Sequence, residues 1–69
     1  AMNFTLNGAP DVGPEETTVA ALVRLSTGHE APAGVAVAVN GALVPRGRWA
    51  ETRVGEGDRV EIVRAVAGG

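Results

Sequence analysis

The sequence predicts an α+β domain in which one main helix packs on one face of a mixed sheet of four to five strands. Three observations support this. Apolar and polar residues alternate near the N-terminus, two Asn-Gly dipeptides separate strand-like segments, and one stretch has helical spacing. A chain of 69 residues is one domain. Such a small core leaves little material for the walls of a deep pocket, which argues against an enzyme.

The N-terminal segment indicates a hairpin. Residues 2–6 have the two-residue period of a half-buried strand, with Phe4 in the core. Asn7-Gly8 suits the positive φ angles of a tight turn. We expect a second, weaker strand over residues 9–12, which Gly13-Pro14 ends.

The next segment has the spacing of an amphipathic helix. Thr17 and Thr18 are candidate N-caps, and Gly28 suits the position after the last helical residue, Ser26 or Thr27. The residues that share one face are Val19, Leu22, Val23 and Ser26. A loop follows over residues 29–34, where Pro and Gly disfavour regular structure.

A second hairpin is predicted after this loop. Residues 35–39 alternate valine with alanine, which favours a central strand. Asn40-Gly41 supplies the turn, and the returning strand over residues 42–44 stops at Pro45.

The last third of the chain ends in one more strand. Residues 46–54 are irregular, with a short helical turn expected at 49–51. Residues 55–58 are a Gly-rich turn that Asp58 stabilises. The strand runs over residues 59–66, with Val60 and Ile62 facing the core. The order β-β-α-β-β-β favours a β-grasp roll over residues 1–66, followed by a flexible Gly-Gly tail at 67–69.

Composition excludes several function classes. The chain has no Cys, so it has no thiolate nucleophile, disulfide or cysteine zinc site. His29 is the only His, in a loop, and cannot build a histidine metal site. A net charge of −2 argues against nucleic-acid binding. No apolar run reaches the length of a membrane span and no signal peptide is evident, so a cytoplasmic protein is expected.

Gly68 and Gly69 are the strongest candidate site. Two terminal glycines can be a frayed end without a function. After a β-grasp pattern, however, a tail without side chains can enter a narrow channel, with Ala67 leading into it. The Gly69 carboxylate is a poor electrophile, so chemistry there requires activation, most simply adenylation with ATP.

Two further features each have two interpretations. Trp49 is either a core anchor, which is the commoner case, or a contact for a partner. Val63 is out of phase with the core residues of its strand, and Val66 follows at the end of that strand. They are either buried in a sheet covered on both faces, or part of an exposed apolar patch that, with Arg64, contacts a partner beside the tail.

The second half of the sequence also contains a distinctive series of motifs. In order they are Val37-Ala38-Val39-Asn40-Gly41, Val44-Pro45-Arg46, Trp49-Ala50, Glu56-Gly57-Asp58 and Val66-Ala67-Gly68-Gly69. Together they resemble the ThiS family, the small sulfur carriers of thiamine biosynthesis. The Val-Pro-Arg…Trp combination is the discriminating part.

This resemblance implies a ubiquitin-like β-grasp fold and a reaction cycle at Gly69. An E1-like adenylyltransferase would activate the Gly69 carboxylate with ATP. A sulfur donor such as a cysteine desulfurase would convert the acyl-adenylate to a thiocarboxylate, and thiazole synthase would take the sulfur. The protein would be a carrier and not the catalyst, with no catalytic residue, metal site or permanently bound cofactor of its own.

Three alternatives remain open. The small subunit of molybdopterin synthase shares the fold and the Gly-Gly end, but it is usually longer and tends to have an aromatic and proline run where this chain has Val63-Arg64-Ala65-Val66. A sulfur carrier for cysteine synthesis is the second alternative, again usually longer. The third is a β-grasp binding module without chemistry at its tail.

Overall fold

The computed structural model describes residues 1–30 and 32–64, and in this part of the chain it contains five strands, one α-helix and a short 3-10 helix. The element order matches the predicted β-β-α-β-β-β. The elements are β1 (Met2–Leu6), β2 (Ala9–Gly13), α1 (Val19–Thr27), β3 (Val35–Val39), β4 (Ala42–Val44), the 3-10 helix (Arg46–Arg48) and β5 (Arg59–Arg64).

The five strands form one mixed sheet in the order β2-β1-β5-β3-β4. The last strand therefore lies at the centre, between the two hairpins. β1 and β5 run parallel, and every other neighbouring pair is antiparallel. This arrangement with one helix confirms the predicted β-grasp, ubiquitin-like fold.

Both predicted Asn-Gly turns are present. Asn7 and Gly8 have φ angles of 50° and 83°, and Asn40 and Gly41 have nearly the same values, 52° and 84°. Two successive positive φ angles are the signature of the turn that best matches the twist of a two-residue hairpin. The turns therefore fix the registers of β1 with β2 and of β3 with β4.

The helix begins and ends as its caps predict. The Thr18 side chain accepts a 3.1 Å hydrogen bond from the backbone N–H of Ala21, and Gly28 has a φ of 81°. Val19, Leu22 and Val23 are buried, as expected. Ser26 was predicted on the same face, but it is exposed, because the buried stripe ends at Val23 and the last turn presents its side chains to solvent.

The segment after β4 packs against the start of α1. The N–H groups of the first helical residues have no partner within a helix. Here the N–H of Val19 donates to the carbonyl of Thr52 (2.9 Å), and that of Ala20 donates to the carbonyl of Trp49 (3.0 Å). The irregular chain between β4 and β5 thus completes the N-terminus of the helix.

The helical turn in this segment lies earlier than predicted. The 3-10 helix spans Arg46–Arg48, and residues 49–51 follow as a hydrogen-bonded turn in which the Glu51 N–H donates to the Arg48 carbonyl at 3.2 Å. The chain turns tightly after Pro45, whose carbonyl accepts a 2.8 Å bond from the Arg48 N–H. This early turn brings the following residue, Trp49, back into the core.

One apolar core fills the space between the sheet and the helix, and it includes both Phe4 and Trp49 as predicted. Its buried members are Met2, Phe4, Val19, Leu22, Val23, Val35, Val37, Trp49, Val54, Val60 and Ile62. No helix among the described residues is long and apolar enough to cross a membrane.

The outer edge of β2 has few backbone N–H groups that are free to donate a hydrogen bond to a further strand. Pro10 has no backbone N–H, and the N–H of Val12 donates a 2.8 Å hydrogen bond to the Asp11 carboxylate. β4, at the other edge, is only three residues long.

Candidate functional site

The predicted tail site lies outside the described residues. This applies to Val66, Ala67, Gly68 and Gly69, and so also to the proposed boundary between domain and tail. The chain is described up to Arg64, the last residue of β5. The candidate site can therefore be built from β5 and from the surface around its C-terminal end.

The central position of β5 gives it two different faces. Val60 and Ile62 point into the core and are 1% and 9% exposed. The alternating residues Arg59, Glu61 and Val63 lie on the other face, which no described element covers. Val63 is 59% exposed. Of the two interpretations of Val63, the structure thus supports the exposed apolar residue and not burial on both faces.

Val63 is part of an apolar surface that spans three strands. In the sheet register Val63 lies opposite Ala36, and Ala38 lies opposite Leu43. Leu43 is 70% exposed. We call Ala36, Ala38, Leu43 and Val63 the open-face patch. It is an apolar surface of the kind that marks protein contacts, and it adjoins the C-terminal end of β5.

Leu43 was not singled out from the sequence. It is the middle residue of a three-residue strand, too short for its two-residue period to show which face it occupies. Only the pairing with Ala38 places it on the same face of the sheet as Val63; the residue opposite Ala38 on β5 is Glu61. Arg64, predicted as a contact with Val63, is exposed but lies opposite the buried Val35, so the two side chains alternate to opposite faces of the sheet.

The turn before β5 fixes where the central strand begins. Asp58 stabilises this turn as predicted, because its carboxylate accepts a 2.7 Å hydrogen bond from the Gly55 N–H. The Glu56 carboxylate accepts bonds from the backbone and the side chain of Asn3, at 2.9 and 3.3 Å. These contacts attach the turn to β1, the parallel neighbour of β5.

The structure also places the other two candidate residues, Trp49 and His29. Trp49 is only 3% exposed, which confirms the core-anchor interpretation. His29 is exposed in the loop after α1. Over the described ranges, no group of three or more His, Asp or Glu side chains is close enough to hold a metal ion.

The sequence of this chain is similar to those of known proteins. The ThiS family model matches residues 4–69. The sulfur carrier protein ThiS of Escherichia coli is 43% identical over 37 residues, which span 54% of this chain and 56% of that protein, so the matched region is about half the length of the curated relative.

Two structures from Geobacter metallireducens are similar over nearly the whole chain. A crystal structure of its thiamine biosynthesis protein ThiS has a TM-score of 0.75 and 31% identity, covering 99% of this chain and 100% of that one. A solution structure of a thiamine biosynthesis protein from the same organism has a TM-score of 0.78 and 34% identity, covering 99% and 88%. The fold, the family match and these relatives agree, and the chain belongs to the ThiS family.

Proposed function

We propose that this protein carries sulfur for the thiazole part of thiamine biosynthesis, as a thiocarboxylate on Gly69. The observation that carries the proposal is the family match, which extends from Phe4 through Gly69 and so includes the Gly-Gly sequence. The names of the similar proteins from E. coli and G. metallireducens support the same pathway.

The chemistry requires three steps, each performed by a partner. In the first, an E1-like adenylyltransferase lets a Gly69 carboxylate oxygen attack the α-phosphorus of ATP, which releases pyrophosphate and leaves an acyl-adenylate. In the second, the terminal sulfur of a persulfide on a donor such as a cysteine desulfurase displaces AMP, and a thiol then reduces the resulting acyl disulfide, which leaves the thiocarboxylate and a disulfide. In the third, thiazole synthase takes the sulfur, and the carboxylate is restored.

In this scheme the protein is a substrate and a carrier, with ATP bound by the partner. The sequence has no Cys that could hold sulfur as a protein persulfide, which agrees with the family's use of the terminal carboxylate as the carrier. Glycine at the end of the chain suits a channel shaped for bare backbone, because it lacks a Cβ. The open-face patch supplies the docking area beside the end of β5 that the tail itself lacks.

The test is to remove Gly69. Deletion retracts the terminal carboxylate by about 3.3–3.6 Å, one residue of extended chain. Misplacement by about 1 Å can already reduce a rate about a hundredfold, so adenylation should be lost. The assays are ATP–pyrophosphate exchange with a thiamine-pathway adenylyltransferase and intact mass for the exchange of one oxygen for sulfur.

The outcomes separate the alternatives. Thermal melting of the truncated protein should match the parent, which shows that only the terminus changed. Sulfur gained at the parental rate without Gly69 would overturn the proposal. A parent that gains no sulfur would indicate a β-grasp module without tail chemistry. A thiocarboxylate that serves molybdopterin synthase but not thiazole synthase would indicate the small subunit of that enzyme.

A further inference from the structure

Asn7 extends the pairing of β1 with β5 beyond the end of β1. The parallel ladder pairs Thr5 with Arg59 and Leu6 with Val60, and then the chain turns away at Asn7. The Asn7 backbone N–H still donates to the carbonyl of Val60, at 2.9 Å. Its side chain then continues along β5.

The side-chain amide of Asn7 bonds both backbone groups of Ile62. The Ile62 N–H donates to Oδ1 at 2.8 Å, and Nδ2 donates to the Ile62 carbonyl at 3.2 Å. A primary amide offers one acceptor and a donor in a plane, as a peptide group does. The Asn7 side chain thus takes the place of the peptide group that a longer β1 would have supplied.

Asn40 makes an equivalent contact at the other end of β5. Its backbone N–H donates to the Arg59 carbonyl at 2.7 Å, and its Oδ1 accepts from the Arg59 N–H at 2.9 Å. Its Nδ2 donates to the Asp58 carboxylate at 2.9 Å. The two hairpin asparagines therefore hold opposite ends of the central strand, and Asn7 holds the end that leads toward Gly69.

We propose that Asn7 is a positioning residue for the sulfur-carrying terminus: by fixing Ile62, it sets the position and direction of the last described residues of β5, from which the sequence continues to Gly69. The proposal rests on the carrier function proposed above. Ile62 lies two residues before the last residue of β5, and β1 provides no backbone partner this far along. Without the Asn7 amide, the end of β5 would be held by β3 alone.

The chain provides a matched control for this idea. Asn7→Gly and Asn40→Gly each remove a side-chain amide that bonds one end of β5. Both residues are at the first position of an Asn-Gly turn, where glycine keeps the positive φ of 50° or 52° without strain. The backbone cost of the glycine is therefore the same in both variants. The variants differ in the end of β5 that loses its side-chain contact, and Asn40→Gly also removes the bond to the Asp58 carboxylate.

The first measurement is amide hydrogen exchange, which does not depend on any partner enzyme. In Asn7→Gly, the Ile62 amide should exchange about tenfold faster, because its hydrogen-bond acceptor is gone. In Asn40→Gly, the faster exchange should appear at Arg59 and not at Ile62. Unchanged exchange at Ile62 in a folded Asn7→Gly protein would overturn the proposal.

The second measurement is the kinetics of adenylation, with this protein as the varied substrate. Partial unfolding would raise the apparent KM, since less folded substrate is present. A misdirected terminus instead lowers kcat, by about tenfold for a displacement below 1 Å. We expect a lower kcat with little change in KM for Asn7→Gly, and parental values for Asn40→Gly.

The outcomes distinguish this inference from the proposed function. If the parent protein is not adenylated, the carrier proposal fails and the exchange data alone decide whether Asn7 holds β5. If the parent is adenylated and both variants react alike, the positioning role is wrong. Should Asn7→Gly fail to fold, Asn7→Asp keeps an acceptor for the Ile62 N–H but places a carboxylate oxygen against the Ile62 carbonyl, and it should also lower kcat.

Discussion

The indole Nε1–H of Trp49 donates a 2.9 Å hydrogen bond to the carbonyl of Val44, the last residue of β4. The rest of the ring lies in the core, and the Arg46 guanidinium lies 4.9 Å from its centroid. One side chain thus attaches the end of an edge strand to the core. It also fixes the segment that completes the start of α1.

Replacing Trp49 by Ala should therefore damage the fold more than the chemistry. Removal of a buried large aromatic side chain costs about 3–5 kcal/mol, which is comparable to the whole stability of a small domain. Thermal or urea unfolding measures the loss. Trp49→Phe keeps much of the buried area but not the bond to Val44, and it should be less destabilised. A Trp49→Ala protein that melts like the parent but binds its partner poorly would make Trp49 a contact residue instead.

Gly13 should not tolerate a side chain, although its φ is not positive. A Cβ there would lie 3.1 Å from the Thr17 hydroxyl and 3.2 Å from the Phe4 ring. Both neighbours are buried, so Gly13→Ala should cost about 1–3 kcal/mol as an overpacked core does. Gly47→Ala is the control, because nothing lies within 4 Å of its added Cβ. Equal unfolding midpoints for the two variants would contradict the expected clash.

The open-face patch can be tested with two valines of equal exposure. Val63 in the patch is 59% exposed, and Val12 at the far edge of the sheet is 58% exposed. Val63→Asp should raise the KM for the activating enzyme about tenfold, as loss of an interface anchor does. Val12→Asp should not. Similar melting temperatures would exclude a difference in folding, and equal KM values would show that the patch is not the docking surface.

The parts of the fold that depend on neighbouring residues could be predicted from the sequence. Asn7-Gly8 and Asn40-Gly41 encode their turns locally, and so do the Thr18 and Gly28 caps of α1. The strand pattern around Val63 left two interpretations open, because such a pattern by itself does not show how many faces of the sheet are covered. With only one helix, one face stays open.

Contacts between distant residues were missed for a similar reason. The dipeptide Asn7-Gly8 predicts a turn, but nothing near it indicates that its amide bonds Ile62, 55 residues away. The helical turn expected at 49–51 also begins earlier, at Arg46, in the segment that the bond from Trp49 to Val44 attaches to β4. In both cases the tertiary partner, and not the local sequence, decides the structure.

The blocked edges of the sheet also determine how copies of this protein behave in concentrated solution. Strand edges with free N–H groups recruit further chains and lead to aggregation. At one edge Pro10 has no N–H and Asp11 occupies that of Val12, while at the other β4 is too short to form an extended pairing. Both edges of the described sheet therefore offer little backbone for pairing with a second copy, which disfavours the growth of fibrils at high protein concentration.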